Sequence, residues 1–542
     1  MVRVLEFPSS WRLFEESRGG VPLTLAHPAT NSVLLNLFRR SYAYYKILNS
    51  THTGRKCDSY IDRPKDTQIR TQSPTISLQN PFLDFPGTKT EHRFLAFFNH
   101  HTAPTISGCF DSDFWSELLP QVGQSEPSIQ HAMIAIAAVH ARLDTMDELL
   151  DGVDKREQSR QFELQQYNKA IHYLRLHISD HGITLEVTLM SCVLLICLEF
   201  LRGSIEQAIL HLQGGMSILH ASRTTDRSSL GVPSCEERIT RKLNEIFFRL
   251  RGQGALCGRL TPSLDDIEFS LGSLVFDKPF SSLDEARSCL DHLLTSTFVF
   301  VHLSIKSHYT SSLAEIDCNI ANFLSTTHSS LSTLLDKWSN NFESFIARSG
   351  SITDTKFFNG CTLLRLFYLI GSIWLSVGIS TEETAFDGRI QEFSSLVVLA
   401  SSLTSNSDLG TGLLETSRKS SIKGTCSFTF DMGAIAPLYL TAIACRDRKV
   451  RRQAMSLLAS CTPRREGLWD ADIMEYVARR VVEIEDIGLN DFVASSANAA
   501  LAQATFMPSE QDRVVGKESP ALTYFPSHVL RLLLRLSRLR NC

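Results

Sequence analysis

The sequence predicts an all-α protein, and three observations carry that reading. Apolar residues recur at three- and four-residue spacing through most of the chain beyond residue 125. Cap residues stand where those stripes begin and end. Alternating β-branched runs are scarce and short, as in Ser427-Phe-Thr-Phe430.

Each element follows from its own pattern. Ile129, Ala132, Met133, Ile136, Ala137, His140 and Leu143 share one helical face. Ser125 is the expected cap, followed by an acid and then by Pro127, where no backbone donor is needed. Tyr167, Ala170, Ile171, Leu174 and Ile178 make a second stripe, and Ile205, Ala208, Ile209, Leu212, Met216 and Leu219 a third. These two share a pattern: Tyr167–Leu174 aligns with Ile205–Leu212 at an offset of 38 residues, the length of a helical repeat unit. Two ordinary amphipathic helices would look the same. Leu331, Leu334, Leu335, Trp338, Phe342, Phe345 and Ile346 form a further stripe, with the large rings read as core. Ile473, Val477, Val481 and Ile484 form the last, with Asp470 as its cap and Gly488 at its C-terminal stop. The apolar runs Val187–Leu198 and Leu366–Ser380 read as buried core helices. The first falls short of the ~20 residues that cross a bilayer, and the second begins beside Arg365 and contains Gly371 and Gly378. No membrane is expected among the partners. Residues 221–235 and the Ser/Thr-rich stretch 401–427 are expected to be loops.

Composition narrows the class. The chain has 542 residues, 43% hydrophobic and 21% charged, with a net charge of -4. That is ordinary globular usage and leaves no general basic excess for coating nucleic acid. The charge is uneven: residues 1–108 carry 13 Lys+Arg against 8 Asp+Glu, and the remainder is net acidic. The 13 cysteines are odd in number and irregularly spaced, which suits a reducing compartment better than a disulfide framework.

Catalytic patterns fail one by one. HExxH and GxSxG motifs are missing, and Gly516-Lys517 is followed by Glu518 where a phosphate loop needs a hydroxyl. Gly252, Gly254 and Gly258 approximate a dinucleotide fingerprint, but the last spacing is one residue too long and no strand precedes them. Cys192 and Cys197 read as buried structural thiols. The scattered histidines, His100-His101, His131, His140, His211 and His220, show no metal-ligand spacing. An enzyme would rest on nothing but size. The tail from His528 to Cys542 places Arg531, Arg535 and Arg538 among leucines with no acid, a basic amphipathic pattern.

Several blocks then stand in order: Phe94–Leu143 (FLAFFNHHTAPTISGCFDSDFWSELLPQVGQSEPSIQHAMIAIAAVHARL), Tyr167–Leu219, Pro279–Leu290 (PFSSLDEARSCL) and Met432–Trp469 (MGAIAPLYLTAIACRD, RRQAMSLLAS, PRREGLW). Together they resemble the regulatory region of fungal zinc-binuclear-cluster transcription factors of the Zn(2)-C6 type, closest to regulators associated with secondary-metabolite gene clusters. The resemblance implies a middle homology domain of packed helix pairs, a nuclear location and a role in RNA polymerase II transcription. It also implies a six-cysteine module holding two zinc ions and reading DNA. Thr53-Gly-Arg-Lys-Cys-Asp-Ser-Tyr60 is similar to the end of that module, with Cys57 in the place of the sixth ligand. No cysteine precedes Cys57 and the next is Cys109. One thiolate cannot hold two zincs, and small zinc domains fold only with their metal. The expectation is therefore a regulator with a truncated cluster. It has no cofactor in the chain as written, and DNA is a partner only if a full cluster exists upstream. Co-regulator proteins or a dimer partner are the expected contacts. The organisation reads as 1–60, an N-terminal segment ending in the cluster remnant 53–60; 61–90, a flexible linker; 91–525, the helical regulatory domain; and 526–542, the basic tail. Segment and linker are expected to be disordered. The alternative is a helical interaction scaffold that never meets DNA.

Overall fold

The computed structural model describes residues 86–110, 113–144, 155–181, 184–223, 235–256, 279–310, 318–349, 354–380, 383–407 and 427–485. The remnant at 53–60, the linker to residue 85, Gly488 and the basic tail lie outside the described residues.

Helices make up nearly all of it. The first, α1 (Lys89–Phe97), runs through a π-helical turn (Phe98–Thr102) into α2 (Ala103–Ser107). It begins inside the stretch read as linker, because Thr88 and Glu91 form a capping box there. A second π-helical turn (Phe114–Leu118) leads into α3 (Leu119–Gly123). Then come α4 (Pro127–Leu143), α5 (Lys155–His181), α6 (Leu185–Arg202) and α7 (Ile205–Arg223). The cap of α4 is Glu126, one residue beyond the expected Ser125, whose hydroxyl instead donates to Val122 O. Proline at the first helical position already fixes the start.

Consecutive helices pack as pairs, α4 with α5 and α6 with α7, and α4 lies against α6. The two copies of the 38-residue echo therefore fall on the second helices of neighbouring pairs. The residues they share are the buried ones: Ala170, Ile171 and Leu174 in α5, and Ala208, Ile209 and Leu212 in α7. Gly203 between the members of the second pair adopts φ +73°, the left-handed conformation that lets the chain reverse after α6.

The stack continues with α8 (Cys235–Leu256), α9 (Leu283–Thr310), α10 (Cys318–Arg348), α11 (Thr355–Val377) and α12 (Ile390–Ser407). Helix α9 is central to this half, touching α8, α10 and α11. Close approach explains its glycine neighbours. A Cβ on Gly252 of α8 would meet Thr295 Oγ1 at 2.5 Å, and one on Gly371 of α11 would meet Leu294 Cδ2 at 2.5 Å. Thus Gly252, the first residue of the false dinucleotide fingerprint, serves helix packing, with a helix and no strand before it. Helix α12 extends to Ser407, so the stretch read as a loop from Ser401 starts in helix; residues 408–426 lie outside the described residues.

Among the described residues, α11 alone is long and apolar enough to cross a membrane, and 67% of its most apolar window is buried inside the protein. It is a core helix of this stack.

A final layer holds three two-residue strands, β1 (Phe428–Thr429), β2 (Arg465–Glu466) and β3 (Trp469–Asp470), with helices α13 (Ile435–Ala444), α14 (Arg448–Ser460) and α15 (Ala471–Glu485). β1 pairs parallel with β2, and β2 antiparallel with β3. Asp470 caps α15 as its sequence position predicts, accepting from Ile473 N at 3.2 Å.

Candidate functional site

Of the described residues singled out by sequence, Trp338, Phe342, Cys192, Cys197, His131, His140 and His211 are core, whereas His101 is half-buried and His100 and His220 are exposed. Trp338 and Phe342 stack at 4.7 Å, and Trp338 Nε1 donates to Ala286 O across 52 residues of chain. Cys192 and Cys197 are enclosed in α6, and burial pushes the Cys192 thiol up to about 12, far from a reactive thiolate. The three histidines His131, His140 and His211 are buried in helices and each has a partner. His131 Nδ1 lies 2.7 Å from Gln166 Oε1, and His140 sits between Thr102 Oγ1 (3.0 Å) and Asp144 Oδ2 (3.1 Å). His211 Nε2 is 3.4 Å from the Tyr167 hydroxyl. Among the described residues no three His, Cys, Asp or Glu side chains are placed to hold a metal. The proposed metal residue, Cys57, lies outside them.

The structure instead draws attention to a charged seam that the sequence did not advertise. Arg249 of α8, Arg287 and Asp291 of α9, and Asp431 of the loop after β1 converge where the final layer meets the stack. Arg287 Nη2 donates to Asp431 Oδ2 at 2.6 Å, and Arg249 Nε lies 3.4 Å from Asp431 Oδ1. Asp291 Oδ2 stands 3.7 Å from Arg287 Nε and 3.8 Å from Arg249 Nε. The Arg287 guanidinium covers the Phe110 ring at 4.0 Å. Both arginines are buried, and two cations facing two anions leave the seam charge-balanced. Only the Arg287/Asp291 spacing of four on one helix was visible in the chain. Asp431 lies 144 residues beyond Arg287, so no local pattern could have paired them.

The cavity beside these groups measures about 30 Å³ and is also lined by Gln253, Thr295 and Met432. That is room for about two water molecules. It offers neither a nucleophile with a base nor space for a metabolite, so the seam is a structural joint. The same layer is sewn down elsewhere. Arg465 Nη1 donates to Leu201 O at 2.9 Å, Phe430 N donates to Ile106 O at 3.1 Å, and the Phe430 ring meets Trp115 edge-on at 5.1 Å. Glu466, enclosed beneath Gly433, accepts from Ile435 N at 2.8 Å and satisfies the start of α13.

A helical body with these blocks in this order invites comparison with known families. Residues 93–373, from within α1 to near the end of α11, match the profile described as the Fungal specific transcription factor domain, just over half of the chain. The chain belongs to this family. This member is 23% identical over 523 residues to the "aspercryptin biosynthesis cluster-specific transcription regulator atnN" of Emericella nidulans, a match covering 80% of this chain and 83% of that protein. No solved structure matches it. The family member is thus a fungal transcription regulator and not an enzyme, in keeping with a body whose polar clusters hold helices together. The final layer, from Phe428, lies beyond the matched residues yet is built into the same core through the seam.

Proposed function

We propose that this protein is a pathway-specific transcription regulator of the Zn(2)-C6 type, acting in the nucleus on a secondary-metabolite gene cluster. The observation that carries the reading is the family match over residues 93–373 together with the cluster-specific regulator that aligns with most of the chain. The segment Thr53–Tyr60 supports the zinc-cluster part, with Cys57 as the remnant sixth ligand. The helical body then works by contact with co-regulator proteins or a dimer partner, and its stacked pairs offer extended faces for that purpose. Direct reading of DNA needs five further cysteines upstream of Cys57.

Sequencing the 5′ end of the transcript tests the zinc-cluster part. A reading frame that supplies five cysteines at cluster spacing makes the protein a direct DNA reader. A transcript beginning at Met1 makes it act through partners, and co-purification with a full-length relative is then expected. A gel shift with the purified chain, with and without zinc, checks the same point. The scaffold alternative draws on the echo between α5 and α7. A cytoplasmic location that persists when nuclear export is blocked would favour it.

A further inference from the structure

The start of α1 is held by one buried carboxylate that serves two structures. In the capping box, Thr88 N donates to Glu91 Oε2 at 2.8 Å while Glu91 N donates to Thr88 Oγ1 at 3.2 Å. Such a box asks only for a surface acid. Glu91 is 3% exposed, because its second oxygen faces α5. Oε1 accepts from Lys169 Nζ at 2.6 Å and from Gln166 Nε2 at 2.8 Å. Gln166 in turn meets His131 of α4. Beside this chain of contacts the Phe94 and Phe162 rings stack at 5.0 Å. Burial alone would raise the Glu91 carboxyl. The hydrogen bonds from Lys169, Thr88 and Gln166 outweigh it and hold the group down at about 2.

The geometry matters because of where it lies. The first turn of a helix leaves its backbone donors without partners inside the helix, so this end is where the run Lys89–Ser107 would fray first. We propose that Glu91 is a positioning residue. It straps the first turn of α1 to the α4–α5 pair and keeps that turn from fraying. The strap does not rest on the regulator reading.

Hydrogen–deuterium exchange of the full chain tests the strap. Glu91→Gln keeps a residue able to cap but removes the charge, and Lys169→Met removes the α5 partner while leaving the capping box intact. Both are expected to speed exchange of amides 89–95 about tenfold or more, the scale of a hydrogen bond to a charged group. Exchange in α9 and α11 should stay unchanged, and Lys169→Arg should restore protection. Unchanged exchange at 89–95 in both variants, or an equal acceleration throughout the body, would overturn the proposal. Neither outcome bears on transcription, so failure of the strap and failure of the regulator reading are distinguishable.

Discussion

Acidification should loosen this protein well above the carboxylate range, and His211 is the reason. Its ring is enclosed between α5 and α7, and burial pushes its pKa from 6.5 down to about 4. A base whose folded pKa is lowered stabilises the fold fully above its unfolded value. That contribution fades as pH falls from 6.5 towards 4, because the unfolded chain takes up a proton that the folded chain cannot. Between pH 7.5 and 4.5 the linkage amounts to about 2.5 kcal/mol for this one group. His131, whose pKa burial also lowers, pushes in the same direction, and Glu91 adds its share only as pH falls from about 4.5 to about 2. The comparison that isolates His211 is therefore wild type against His211→Gln, which stays neutral and can still meet the Tyr167 hydroxyl. Urea unfolding followed by far-UV circular dichroism at pH 7.5, 6.5, 5.5 and 4.5, at constant ionic strength, gives both profiles. Wild type should lose about 2.5 kcal/mol more than the variant across that range. Parallel profiles would refute the argument that burial keeps this ring neutral.

Further perturbations address the packing and the seam. Asp431→Ala leaves two buried guanidinium groups with Asp291 as the seam's one remaining carboxylate and should cost about 3–5 kcal/mol in urea unfolding; a loss under about 0.5 kcal/mol would mean that the seam is solvated and slack. Trp338→Ala removes a fully enclosed ring and its hydrogen bond to Ala286 O, and should cost about 3–5 kcal/mol by the same measurement. Gly371→Ala puts a methyl 2.5 Å from Leu294 Cδ2 and should cost about 1–3 kcal/mol. Adding Leu294→Ala should make the double variant less destabilised than the sum of the singles, and strict additivity would show that α9 and α11 can move apart instead.

Much of the fold was legible because helices are local. The stripes at 129–143, 167–178, 205–219 and 331–346 became α4, α5, α7 and α10, since one apolar face per helix is what burial requires. Trp338, Phe342 and the cap Asp470 took the roles their positions predicted. The 38-residue echo became the buried face of two second helices, a relation that only the packing of pairs reveals. Two boundaries shifted for local reasons. At Ser125 a proline two residues on decided the helix start, and at Ser401 neighbouring apolar residues carried the helix through a serine-rich stretch. The seam was not legible. Arg249, Arg287 and Asp431 are ordinary charged residues in sequence, and they pair only because the final layer folds back onto α8 and α9. The Glu91 strap was hidden likewise, since its partners are 75 and 78 residues away.

The most direct test of the regulatory reading is to tether the full chain to a promoter through a heterologous DNA-binding module and measure reporter transcription in a fungal host. A change in reporter output that disappears when Asp431→Ala loosens the body is the predicted result. Output equal to that of the DNA-binding module alone, from a chain shown to be folded and nuclear, would contradict it.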